Sequence, residues 1–138
     1  MYRRKVLFCT ESSFMQTGYG VYAKEIISRL VKHPELEVAE LGGYSNEGME
    51  DIGRVPWKFY VNGPKQNGLE WANYKADPSN EFGAYSFNAA CIDFQPDIVC
   101  GYRDHWMDIH EQLSPFRDFY NLVWMPTVDA APSNSSWI

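Results

Sequence analysis

The stretch that decides the fold is KVLFCTESSFMQTGYGVYAKEIISRL, Lys5 to Leu30. It opens on an unbroken apolar run, Lys5–Thr10, which fits a strand buried on both faces of a parallel sheet. After Gly20 the apolar residues fall at Ala23, Ile26, Ile27, Leu30 and Val31, the spacing of one helix face, and Pro34 stops the pattern. Leu36–Leu41 supplies a second strand, so the first forty residues read as a strand–helix–strand crossover.

Working outward from there, the pattern weakens between residues 42 and 79. Trp57–Val61 is an apolar island read as a short third strand. The stretch from Asn62 to Ser79 reads as a long connection, and connections of that length tend to be functional. Asn80–Phe94 reads as a second helix with Gly83 as its weak point, and Pro96-Asp97 closes it. Ile98–Gly101 is a short buried strand, and His105–Leu113 is helical. Ser114–Phe116 offers a cap followed by proline at the first position of a further turn. Asn121–Met125 is the last strand. The sum is one α/β domain over 1–138, a Rossmann-like parallel sheet of about five strands with flanking helices.

At 138 residues with 45% hydrophobic content, the chain has the length and apolar share of one globular domain. Its net charge of −6 disfavours nucleic acid and anionic membranes as partners, because both select basic surfaces. No run approaches the ~18 apolar residues of a membrane span, nor a secretory leader, which predicts a cytoplasmic protein. Cys9, Cys91 and Cys100 have no CxxC spacing and sit in or near apolar runs, so a disulfide framework or a cysteine zinc site is not expected. Aromatics at 16% fill a core or form surfaces that bind flat ligands.

In parallel sheets, ligands bind outside the carboxyl ends of the strands. Three such ends carry candidates. After the first strand stand Gly18, Tyr19 and Gly20, where glycine allows close backbone approach and a starting helix offers N–H groups to a phosphate. The third glycine of the dinucleotide fingerprint is missing, and Gly42-Gly43 stand where a ribose-binding acid belongs, so NAD binding is disfavoured. The fourth strand ends in GYRDHWMDIH, Gly101 to His110. Arg103 there can pair with a phosphate or carboxylate, Asp104 can accept sugar hydroxyls or a proton, and His105 can move one, beside Trp106. The competing duty of Asp104 is to cap the next helix. His110 reads as a packing residue, and His105 with His110 makes no zinc pair at i, i+5. The fifth strand is followed by Asp129, between Pro126 and Pro132. No GxSxG or Ser-His-Asp arrangement supports a nucleophilic hydrolase.

The segments VLFCTESSFMQTGYGVYAKEIISRL (Val6 to Leu30), PWKFYVNGP, DPSNEFGAYSF, FQPDIVCGYRDHWM and NLVWMPTVDAAP together resemble the N-terminal, acceptor-side half of GT-B glycosyltransferases, the family-four group. They span almost the whole chain in the family's order. The resemblance implies transfer of a sugar from a nucleotide-sugar donor to an acceptor, with no metal required by the fold and no further cofactor. It implies a donor diphosphate near Gly18, Tyr19 and Gly20, and an acceptor side lined by Asp104, His105 and Asp129. Relatives carry a His after the fifth strand where this sequence has Thr127-Val128-Asp129, which leaves Asp129 to orient a hydroxyl. The family's donor-binding domain follows its N-terminal one, so the expectation is a truncated domain, inactive alone, whose missing C-terminal domain would be a partner. An exposed aromatic patch at that junction could drive self-association. The competing readings are a non-catalytic Rossmann-like module that binds a phosphorylated ligand or a partner protein, and a flavodoxin-like or receiver-like domain. The second lacks both the acidic cluster and the phosphate loop it would need after the first strand.

Overall fold

The computed structural model describes residues 2–125. Five parallel strands form one sheet in the order β3-β2-β1-β4-β5: β1 (Arg4–Glu11), β2 (Leu36–Asn46), β3 (Lys58–Gly63), β4 (Ile98–Tyr102) and β5 (Asn121–Met125). The helices are α1 (Gly18–Leu30), α2 (Trp71–Ala76), α3 (Phe87–Phe94) and α4 (Ile109–Leu113), joined by short 3-10 turns. The expected Rossmann-like α/β sheet with flanking helices is therefore the architecture of the chain.

β1 lies at the centre, with β2 and β4 on either side. Alternation along it explains the continuous apolar run. Leu7 and Cys9 face one layer with Ala39, Leu41 and Val99, packed on Phe87, Ala90, Cys91 and Phe94 of α3. Val6 and Phe8 face the other layer with Val38 and Cys100, packed on Ala23 and Ile27 of α1. Each of the large aliphatic and aromatic side chains removed from water this completely contributes roughly 1.5–3 kcal/mol.

Three differences from the sequence reading have local causes. β2 does not stop at Leu41 but runs through the two glycines to Asn46. A Cβ on Gly42 would come 2.2 Å from the Phe59 ring, and one on Gly43 2.8 Å from the Thr10 carbonyl, so the glycines serve close packing inside a strand. The register shift of β2 against β3 follows at once, with Tyr44 in the left-handed region at φ 64°. The connection after β3 holds α2, where Tyr74 is buried, and is not a structureless loop. The expected helix from Asn80 is broken: a 3-10 turn covers Pro78–Asn80, Gly83 takes φ +127°, and α3 starts only at Phe87. The Asp77 carboxylate caps that turn, accepting from Ser79 N at 3.0 Å and Ser79 Oγ at 2.8 Å.

Candidate functional site

The order β3-β2-β1-β4-β5 makes the gap between the carboxyl ends of β1 and β4 the point where the chain's connections diverge in opposite directions. In such sheets that gap is where a crevice opens. A cavity of about 390 Å³ lies there, lined by Glu11, Thr17, Gly18, Tyr19, Tyr22 and Tyr102. The Thr10 hydroxyl donates to the Tyr102 carbonyl at 2.8 Å and holds the two strand ends together.

The two glycines of the opening motif do not form a turn. They lie in the first turn of α1, and Thr17 is its N-cap, with its hydroxyl accepting from Gly20 N at 3.0 Å. The same hydroxyl donates to the Glu11 carboxylate. Gly20 is required by packing, since a Cβ there would stand 2.5 Å from the Met15 carbonyl oxygen and 2.9 Å from that of Ser12. Gly18 has nothing within 4 Å of a Cβ position, so its backbone faces open space beside the cavity. Glu11 at this helix end puts a carboxylate where a phosphate would gain most from the helix N-terminus.

From the other strand end, Asp104 contacts one of the cavity's lining residues, Tyr19. Tyr19 donates its hydroxyl to Asp104 Oδ1 at 3.2 Å, which joins the two candidate segments directly. Asp104 makes no side-chain cap for the 3-10 turn His105–Asp108 that follows it. Tyr22 stacks on Tyr102 with centroids 4.0 Å apart and planes at 11°, and Tyr19 meets Tyr102 edge-on at 5.9 Å. His105 is half-buried at the start of the turn. Trp106 is 56% exposed and packs its edge against Phe82 at 5.3 Å.

Arg103 points the other way. Its side chain is fully buried, with Nε donating to Asp108 Oδ1 at 2.8 Å, Nη2 2.5 Å from the same oxygen, and Nη2 also donating to the Phe82 carbonyl. Burial alone would lower its pKa, but the adjacent Asp108 more than offsets this and the group stays cationic. Asp129, with Thr127-Val128, lies outside the described residues.

Sequence reasoning missed three buried carboxylates, Asp108 beside Arg103, Glu40 and Glu111. Glu40 accepts from Ser13 N at 2.7 Å, Ser13 Oγ at 2.7 Å and Trp57 Nε1 at 2.9 Å, and burial raises its pKa. It therefore anchors the loop between β1 and α1 that carries the cavity's first wall. Glu111 lies behind β4, where burial and the neighbouring Asp108 push its carboxyl well above the usual range. Beside it, burial and the Arg103 charge hold His110 down at about 4. The His110 ring packs edge-on to Phe87 at 5.4 Å, the packing role expected of it. Burial also pushes the thiols of Cys91 and Cys100 up to about 12, so neither offers a thiolate.

No protein-family model matches the chain, and no curated protein matches it either. Among the described residues no helix is long and apolar enough to cross a membrane. What the site itself offers is two carboxylates, three tyrosine rings and an open helix turn. Carboxylates accept hydroxyl or ammonium protons, and tyrosine rings cover the apolar faces of ring-shaped ligands.

Proposed function

We propose that this domain is the acceptor side of a glycosyltransferase that moves a sugar from a nucleotide-sugar donor to a hydroxyl acceptor. The observation that carries the reading is that Thr17–Tyr19 and Tyr102 line one cavity, with Asp104 beside it through the Tyr19–Asp104 hydrogen bond. Asp104 accepts an acceptor hydroxyl and orients its oxygen. Tyr102 and Tyr22 supply an aromatic wall, and Gly18 allows close approach by the ligand's polar edge. Glu11 at the helix end favours a hydroxyl over a phosphate at this wall, so the donor's diphosphate would draw on groups beyond Gly18 and Gly20.

Calorimetric titration with free hexoses and disaccharides, beside UDP-glucose and GDP-mannose, tests the reading. A saccharide should bind, and Asp104→Asn should weaken it roughly tenfold, in line with loss of one charge-assisted hydrogen bond. Equal affinity in wild type and Asp104→Asn would count against the assignment.

A second reading, docking of a partner protein, draws on the exposed side of α1, where Val21 is 49% and Tyr22 45% exposed. Substituting Val21 by Asp separates the two, because it should leave saccharide affinity unchanged and abolish only a protein contact.

A further inference from the structure

Behind β4, away from the cavity, four polar side chains meet in the interior: Arg103, Asp108, His110 and Glu111. Arg103 and Glu111 are 1% and 0% exposed, and Asp108 is 2% exposed. One guanidinium faces two carboxylates, so the group carries one negative charge too many when both are ionised. A buried charge without a counterpart is costly, so the group must hold either a proton or a cation.

The hydrogen bonds show where. Arg103 spends Nε and Nη2 on Oδ1 of Asp108, and the Trp124 indole donates to Oε1 of Glu111 at 3.4 Å. One oxygen of each carboxylate is thus held, and Glu111 Oε2 is left without a hydrogen-bond partner. Glu111 Oε2, His110 Nε2 and Arg103 Nη1 are all buried without a hydrogen-bond partner. A ligand atom from each of Asp108, His110 and Glu111 lies within 4.8 Å of the others, with His110 Nε2 3.9 Å from Glu111 Oε2. Outer donors that fix one carboxylate oxygen and leave its twin bare are the usual surroundings of metal ligands.

We propose that Asp108, His110 and Glu111 bind one divalent first-row metal ion, with Zn²⁺ the best match to one imidazole nitrogen and two carboxylate oxygens. Four-coordinate zinc with ligands near 2.0–2.1 Å places them about 3.4 Å apart, so the His110–Glu111 pair has to close by about half an ångström and the pairs with Asp108 by up to about 1.4 Å. A proton shared by the two carboxylates would settle the charge but leave His110 Nε2 and Arg103 Nη1 unanswered. A metal takes the imidazole lone pair, and solvent in its fourth position can accept from Arg103 Nη1.

Glycines line the cluster at ordinary contact distance or slightly closer. A Cβ on Gly83 would lie 3.5 Å from His110 Nε2, one on Gly101 3.5 Å from Asp108 Oδ2, and one on Gly43 3.2 Å from Arg103 Nη1. The enclosure makes this a structural ion, which ties the 3-10 turn and α4 to the end of β4. It is independent of the sugar-site reading.

The test is metal content and stability of the full chain. After stripping with EDTA and dialysis against ZnCl₂, about one zinc per chain should remain by plasma mass spectrometry, and Zn²⁺ should raise Tm by several degrees. Glu111→Gln and His110→Gln should each weaken uptake at least a hundredfold, while His33→Ala, an exposed histidine on another face, leaves it unchanged. Less than a tenth of an equivalent, with no Tm shift from Zn²⁺, Mn²⁺ or Co²⁺, overturns the site. So does uptake that survives Glu111→Gln but is lost in His33→Ala. The wild-type measurement stands even if a variant fails to fold.

Discussion

Glu40 and Glu111 are both completely buried, on opposite faces of the same sheet, and the protein treats them differently. Glu40, on the α1 face, receives three donors from Ser13 and Trp57. Glu111, on the α3 face, receives one indole N–H at 3.4 Å and keeps an oxygen with no partner. A carboxylate that is fully answered by fixed donors is finished: it locks a loop. One that is half answered beside a second carboxylate and a bare imidazole nitrogen is a seat for a cation. Burial alone does not distinguish structure from site, and the count of partners does.

The largest effect should come from the unfinished side. In metal-free buffer, Asp108→Ala removes the carboxylate directly bonded to the buried Arg103 guanidinium, which should cost about 3–5 kcal/mol in urea denaturation. A cost under about 1 kcal/mol would mean that the group does not depend on this pair and would break the contrast.

A smaller effect belongs to Glu40. In Glu40→Gln an amide donor must face Ser13 N–H or Trp57 N–H, at a cost of about 1–3 kcal/mol. The pH dependence sharpens it. Burial raises the folded pKa of Glu40, so its proton-linked stabilisation is fully present below the ordinary value of 4.5 and is lost as pH rises through the folded value. Wild type should therefore gain on Glu40→Gln as pH falls from 7 to 4, read by denaturation midpoints across that range. A difference that does not change with pH would mean that Glu40 is as well solvated in the folded chain as in the unfolded one.

Much of the fold was legible because runs and spacings report burial directly. The run Val6–Cys9, the helix face Ala23, Ile26, Ile27 and Leu30, and the run Asn121–Met125 all form the elements they suggest. Gly83, marked as a weak point, is where the helix breaks. Gly42-Gly43 misled because a glycine pair signals a turn equally well as a close approach, and only the Phe59 ring and Thr10 carbonyl reveal which. The strand-end rule named Gly18, Tyr19 and Asp104, and the structure puts Tyr19 in hydrogen-bond contact with Asp104 beside Gly18. It could not find Glu40, because a glutamate alternating with Ala39 and Leu41 reads as solvent-facing until Trp57 covers it. Nor could it turn Arg103 inward, since its partner Asp108 lies in a 3-10 turn with no sequence signature. Asp108, His110 and Glu111 do not share the spacing of a helix face, so no periodic pattern announces them.

The central claim is that the β1–β4 gap binds a sugar. Backbone amide spectra during saccharide titration test it most directly, because Gly18 lies open beside the cavity while Gly20 is packed against Met15 and Ser12. The Gly18 resonance should move with saturation, Gly20 should move less, and Asp104→Asn should reduce both. Resonances at Gly18 and Tyr19 that stay fixed while saccharide binding saturates elsewhere would contradict it.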